Sequence, residues 1–440
     1  MRKTVFILTA FIALAQTAFA APSVRQRFNL SFSPPLTAVS RFNSGGELLA
    51  VQLSPKGDQP SRIIAVSRRG GLKLVEDLAA RKTLTVPGQR LWIAGRPASD
   101  GALHASEELP VIRRQVWLAR SGECYAVACF ATGGWYELRY MDKDGKLLFI
   151  AAPKDDYGLA SVIISDDGSR VLIDDETPPY SMTKPGQRLY LYDRNGKLLM
   201  DRDAGENLDG WLDAQDGFMA RDGSCFIAPM GMGKRQCSSV VLLDGNGKQL
   251  WDKSYFPRHI IEGDSGGLFR VRGGNLSFIN FIDRQGDLKT VERKGYGFEL
   301  MLSKDAKKAY MMIFKPFDVK NTDLDGQIKA AFPGADVIAV NLPELAATAG
   351  GQGSATKPAP ASASDVKVAL SPDGKSFICY ASRAAMGMQE TVLKLFGEDQ
   401  ALLWKKYLFQ AGIVPKFTGS RDFLLKFGYP IKRLAFFSPD

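Results

Sequence analysis

Histidine, cysteine and long apolar runs are the scarce features of this 440-residue chain. It holds 2 His and 5 Cys. Outside its first twenty residues, no stretch approaches the ~18 uninterrupted apolar residues that a spanning helix needs. With so little His and Cys, no His- or Cys-based catalytic constellation can be assembled from the sequence. The cysteines Cys124, Cys129, Cys225, Cys237 and Cys379 contain no CxxC and no Cys/His zinc spacing. Helix-favouring stretches are also few: 327–332 and 344–349 are short and lie beside Pro or Gly, which excludes a helical bundle. Basic residues are scattered and form no runs, so nucleic-acid binding is not expected.

What the chain does have is turn formers. It contains 43 Gly and 23 Pro, within an ordinary 45% hydrophobic and 24% charged composition. That combination describes a packed protein of many short strands. The first twenty residues read as an export signal. Arg2 and Lys3 form the positive region, 5–15 the apolar core, and Ala18-Phe19-Ala20 the small-x-small cleavage site. The expected organisation is a cleaved signal peptide at 1–20 and one domain over 21–440, periplasmic or secreted, with no transmembrane segment after cleavage. Cleavage removes two basic residues, leaving 55 basic against 47 acidic, a net charge of +8. Such an excess favours anionic surfaces. An exporting compartment permits disulfides. Cys225 and Cys237 flank the Gly-rich stretch 230–233 and are the pair best placed to face each other across a hairpin. Cys124 and Cys129, an odd number of residues apart on one strand, point to opposite faces.

Two short elements recur. The first is a strand–turn–strand with Asp three residues before Gly: MDKDGKLLF (141–149), YDRNGKLLM (192–200), LDGNGKQLW (243–251) and IDRQGDLKT (282–290). Their glycines, Gly145, Gly196, Gly247 and Gly286, are 51, 51 and 39 residues apart. Weaker copies surround Gly70 and precede Trp404, and the strand 337–342 fills the remaining gap, giving seven copies. The second is an S-x-D-G-type turn opening an apolar run, as in ISDDGSRVLID (164–174), MARDGSCFIA (219–228) and LSPDGKSFICY (370–380). Turn, strand, loop, strand, turn, strand make one four-stranded antiparallel sheet per unit.

The SPDGK turn of Ser371 to Lys375 resembles the WD-repeat-like units of the TolB family. The D-x-x-G-K-x-x-W spacing of Asp244, Gly247, Lys248 and Trp251 is similar to the repeat of PQQ-type propellers. The resemblance covers 40–437 and implies an all-β fold: a single β-propeller of seven four-stranded blades, with six or eight also fitting the spacing. Ring closure is expected where the C-terminal hairpin 423–437 completes a blade with strands from 36–53. The Ala/Gly/Ser/Pro tract at 346–364 reads as a low-complexity loop.

Several strings carry candidate chemistry. Gly263-Asp264-Ser265-Gly266-Gly267 spells a serine-protease nucleophile motif, but neither His104 nor His259 sits in that family's context. Asn321, Asp323 and Asp325, followed by Gly326, match the spacing of a calcium loop. Phe332 stands where the bidentate Glu belongs, so any Ca²⁺ site there is weak. Trp251 and Trp404 fall at the post-turn apolar position and are expected between blades, whereas Trp135 and Trp211 suit a surface. The acidic groups 155–156 and 174–176 are expected to be solvated strand ends. No adjacent Cys-Cys pair occurs, against the resemblance's quinone-cofactor branch. The resulting expectation is a non-catalytic module, without a cofactor beyond that calcium, binding a protein or an anionic envelope polymer. The competing expectation is a polysaccharide hydrolase or lyase using Asp, Glu and Tyr at a central funnel.

Overall fold

The computed structural model describes residues 24–86, 92–93, 96–97, 107–132, 135–151, 158–176, 187–203, 211–212, 214, 216–231, 237–254, 259–262, 268–272, 278–292, 296–302, 308–314, 336–341, 366–385, 388–397, 401–410 and 412–439. Residues 1–20, expected to be a signal, and the tract at 346–364 lie outside them. Apart from a single short 3-10 turn at Leu78–Ala80, the described elements are strands.

The strands fall into consecutive antiparallel meanders. Blade 1 comprises the second half of Val24–Phe42, Glu47–Leu53, Pro60–Ser67 and Leu72–Asp77. Blade 2 comprises Glu107–Leu118, Cys124–Ala131, Tyr136–Asp142 and Leu147–Ala151, with Thr83–Val86 added along its first strand. Blade 3 comprises Gly158–Ile164, Arg170–Glu176, Gln187–Asp193 and Leu198–Asp203. Blade 4 opens with two short pieces, Trp211–Leu212 and Phe218–Met219, followed by Cys225–Gly231, Cys237–Asp244 and Gln249–Lys253. Blade 5 runs from His259–Glu262 to Leu288–Glu292, and blade 6 shows the three strands Tyr296–Leu302, Lys308–Phe314 and Asp336–Asn341. Blade 7 runs from Val366–Leu370 to Leu402–Leu408. Blade 8 is Ile413–Phe417, Phe423–Phe427 and Ile431–Pro439, completed by the first half of Val24–Phe42.

The repeats explain the local geometry. In each Asp-x-x-Gly turn one carboxylate oxygen accepts two backbone N–H groups. Asp193 takes them from Asn195 and Lys197, both at 2.9 Å, and Asp244 from Asn246 and Lys248, also at 2.9 Å. The Asp side chain thereby satisfies donors that a two-strand turn leaves open, while Gly supplies the positive φ. The S-x-D-G turns close likewise, with the Ser165 hydroxyl donating to Asp167 at 2.7 Å and the Ser371 hydroxyl to Asp373 at 2.7 Å.

Gly is demanded a second time, by packing. A Cβ on Gly247 (φ 83°) would lie 2.4 Å from the Cβ of Met200, on the last strand of the preceding blade. Gly145, Gly196 and Gly286 press in the same way on Val75, Phe149 and the Trp251–Lys253 pair. Gly70 in blade 1 meets Phe28 Cβ at 2.8 Å. Phe28 therefore occupies, relative to blade 1, the place that each last strand occupies relative to the next blade. Apolar faces are buried between blades, not within one. Phe28, Leu36, Leu48, Leu424 and Phe436 form one such interface, and Leu189, Leu191, Phe226 and Val241 another.

The single strand Val24–Phe42 runs through one continuous seven-stranded sheet and takes a different partner along each half. Val24 to Ser31 pair with Pro439 to Arg433 at the chain's other end, and Leu36 to Phe42 pair with Gln52 to Leu48. The C-terminal hairpin is thus flanked by its own strand Ile413–Phe417 and by residues 24–31, with Leu36 opposite Ile431, and the rest of 36–53 follows in the same sheet. Divided at the register shift between Ser31 and Leu36, this sheet supplies the eighth strand set, where the motif count gives seven and the spacing also admits eight. The Asp-x-x-Gly turn joins the third and fourth strands of a blade. In blade 8 those two strands are the last and first of the chain, so no turn links them. The disulfide expectation is corrected as well. Cys225 and Cys237 do lie on neighbouring strands, but Cys225 pairs with Asp244 and Cys237 with Gly231. They stand at opposite ends of the ladder, six residues and about 20 Å apart, far beyond the ~7 Å limit for a disulfide.

Candidate functional site

First and last strands of the blades differ in what they face. The last strands carry exposed apolar side chains such as Leu72, Leu250 and Leu402. First strands of five blades instead line one axial cavity of about 410 Å³. Its wall includes Val39 from blade 1, Val116 and Leu118 from blade 2, Val162 and Ile164 from blade 3, Phe218 and Met219 from blade 4, and Lys416 from blade 8.

Charge gathers at the tight-turn end of this cavity. Arg120, Asp166 and Arg221 each follow the residue that opens the first turn of their blade, and those turns are stitched together. Arg41 N donates to Arg120 O at 2.8 Å, Ser121 N to Asp166 O at 3.3 Å, and Asp167 N to Arg221 O at 3.0 Å. The backbone thus fixes three charged side chains side by side. Asp166 lies between the two guanidiniums, its oxygens 3.9 Å from Arg120 Nε and 3.9 Å from Arg221 Nε. Both contacts are longer than a hydrogen bond. Burial pushes the Lys416 ammonium down to about 7, reinforced by Lys426, Arg41 and Arg120 and opposed by Asp166. Among the described lining residues Asp166 is the only carboxylate, and none is a His or Tyr.

A second polar cluster is fully buried in blade 3. Asp174 and Asp175, expected from the sequence at solvated strand ends, are 1% and 0% exposed. Asp174 accepts from the Gln187 amide at 2.8 Å and Asp175 from the Tyr136 hydroxyl at 2.6 Å. Gln187 in turn donates to Leu212 O at 2.7 Å and accepts from Leu212 N at 3.0 Å. The cluster therefore ties blade 3 to blades 2 and 4. Burial raises Asp174 to about 8 despite the Gln187 and Ser161 hydrogen bonds. Adjacent residues of a strand point to opposite faces, so these two carboxyls do not share a cleft for acid–base work.

The other sequence candidates are placed as follows. Asn321, Asp323 and Asp325 lie outside the described residues, as do Asp155, Asp156, His104 and the Gly263–Gly267 string. Among the described residues no group of three His, Cys, Asp or Glu is arranged to hold a metal ion. Trp404 sits between blades 7 and 8, 5.4 Å from the Phe423 ring and 5.1 Å from that of Phe437. Trp251 donates its indole N–H to Arg284 O of blade 5 at 2.6 Å. Trp135 packs against a buried cluster of blades 1 and 2 and is not a free platform. The axial charges escaped the sequence reading, although aligning the turns ARSG, SDDG and ARDG places Arg120, Asp166 and Arg221 in one column.

The meanders and the terminal strand pairing define the class of protein as a β-propeller. No family model and no curated protein sequence matches the chain. Solved structures similar to it include Raptor from Chaetomium thermophilum, at 9% identity and TM-score 0.35, covering 96% of this chain and 29% of that one. A eukaryotic initiation factor is similar at 10% identity and TM-score 0.44, covering 97% of this chain and 94% of that one. The WD40 domain of SCAP from fission yeast is similar at 9% identity and TM-score 0.38, covering 95% of each chain. The chain spans less than a third of the Raptor chain. These are likenesses of fold, and they say nothing of ligand or partner.

Proposed function

We propose that the chain is an exported, non-catalytic β-propeller that binds a protein or an anionic envelope polymer. The observation that carries this reading is the make-up of the axial cavity, where propeller chemistry would be expected. Its described lining offers one carboxylate held between two arginines, and no second acid or base beside it. A two-carboxylate hydrolase needs a pair of acidic groups across the scissile bond. The edge opposite the tight turns supplies the features of a docking face. Phe409, at the end of the last strand of blade 7, is 80% exposed, and Tyr429, in the turn between two strands of blade 8, is 94% exposed. Their backbones are held close, with Gly428 N donating to Gly412 O at 3.0 Å. Aromatics presented on rigid strand ends are the usual anchors of protein interfaces.

The test is crosslinking in the envelope fraction of the source cell, followed by capture of wild type beside a Phe409→Ser/Tyr429→Ser variant. A defined partner captured by wild type and lost with the variant supports the reading. Release of soluble sugars from envelope polysaccharide by the purified chain would contradict it. Calcium at Asn321, Asp323 and Asp325 belongs to the same proposal. A melting temperature raised by millimolar Ca²⁺ and restored by chelator supports it, and indifference to both removes it.

A further inference from the structure

We propose that the axial cavity binds a small organic anion, an oxyanion head of carboxylate or phosphate-ester type on an apolar body. The inference concerns the cavity and not the opposite, aromatic edge, so it stands or falls apart from the partner-binding reading. Size is the first argument: about 410 Å³ lies within the range of small-molecule sites.

The second argument is the ordering of polarity along the axis. Arg120 and Asp166 stand one residue beyond Ala119 and Ser165, whose N–H groups close the first turns of blades 2 and 3. Val116 and Val162 stand three residues before those same positions, deeper between the strands. One end of the cavity therefore carries the charges, with the Arg120 guanidinium 5.9 Å from the centre of the Phe218 ring, and the rest is mostly apolar, with Trp117 and Met219 beside the aliphatic side chains. An amphiphilic anion matches that gradient, whereas a bare inorganic ion would leave the aliphatic wall uncovered.

Charge balance is the third argument. Lys426, Arg41 and Arg120 all bear on the Lys416 ammonium, against the opposing carboxylate of Asp166. Asp166 stays at 3.9 Å from each arginine Nε it serves. Among the described residues no carboxylate forms an ion pair with Lys416. Holding the Lys416 ammonium in the cavity without such a partner opposes folding, and an oxyanion entering there would offset that penalty. The guanidinium forks suit carboxylate or phosphate oxygens. Lys416 would take up a proton as the anion binds, since the new charge raises its affinity for one.

Calorimetric titration of the full chain, in two buffers of different ionisation enthalpy at about pH 8, tests the proposal. The probes are octanoate, octyl phosphate, inorganic phosphate and octyl glucoside. The expected result is one-to-one binding of an anionic amphiphile at least about tenfold tighter than inorganic phosphate, with proton uptake and no binding of octyl glucoside. Which amphiphile binds more tightly identifies the head group. Lys416→Met should weaken binding about tenfold and abolish the proton uptake. Arg120→Gln, at a side chain that is 44% exposed, should weaken binding without lowering the melting temperature, and it serves as the readout if the lysine variant does not fold. Absence of binding at millimolar amphiphile, equal binding of octyl glucoside or inorganic phosphate, or binding untouched by Arg120→Gln would overturn the proposal.

Discussion

Gly247 and Gly57 have similar positive φ values, 83° and 75°, but different surroundings. A Cβ on Gly57 meets nothing within 4 Å, whereas one on Gly247 would collide with Met200 at 2.4 Å. Gly57→Ala should therefore cost about 1 kcal/mol, for the left-handed conformation alone. Gly247→Ala should cost that plus about 1–3 kcal/mol of overpacking. Parallel urea melts of the two variants check the difference. Asp174 provides a residue-scale prediction with a sign. Its folded midpoint near 8 lies above the unfolded value of about 3.9. Between the two the native state binds the extra proton, so this group's contribution is fully present in acid and is lost as pH rises towards 8. Asp174→Asn should stabilise the protein at about pH 9, by on the order of 1 kcal/mol or more, and progressively less towards about pH 5. Melting curves across that range measure it. The glycines and turn aspartates were legible in the sequence because their rule is local. The burial of Asp174 and Asp175 was not, since it depends on Tyr136 and Leu212 arriving from neighbouring blades.

At the scale of the strand, the first half of Val24–Phe42 does the work that a turn does elsewhere. Phe28 is 7% exposed, under the Gly70 turn and 5.7 Å from the Phe436 ring. Phe28→Ala should cost about 3 kcal/mol or more, whereas Phe409→Ala, at a solvent-exposed ring, should fall within about 0.5 kcal/mol of wild type. Chemical denaturation of the two variants tests this. The Asp-x-x-Gly signature marks its strands in the sequence, whereas the pairing of 24–31 with the last described strand carries no such mark. Val24–Ser31 carries no turn motif, because its partner strand Ile431–Pro439 lies at the far end of the chain. The disulfide expectation failed for a related reason. A hairpin was readable around 230–233, but its register was not, and register places Cys225 opposite Asp244.

Over the whole molecule, position around the axis creates properties that no segment has alone. Arg120, Asp166, Arg221 and Lys416 come from four blades and are scattered in sequence, yet three share one turn position; Arg120, Asp166 and Lys416 line the cavity and Arg221 stands beside Asp166. Scattered basic residues form no run in the sequence, because ring geometry, and not a run, brings them together. Lys416 gives this cluster a pH signature opposite to that of Asp174. With a folded midpoint near 7 against about 10.4 unfolded, the unfolded chain binds more protons in between. Stability should therefore rise with pH across that window, and Lys416→Met should flatten the rise in melts between about pH 7 and 10.

Residues 24–31 and 433–439, from opposite ends of the described chain, pair in one sheet. Asn29 and Ala435 are register partners across that seam. The direct measurement is non-reducing peptide mapping of an Asn29→Cys/Ala435→Cys variant after mild oxidation. An intramolecular link joining the N-terminal and C-terminal peptides of monomeric protein is the expected result. Absence of that link, or its appearance only between chains, would contradict that pairing.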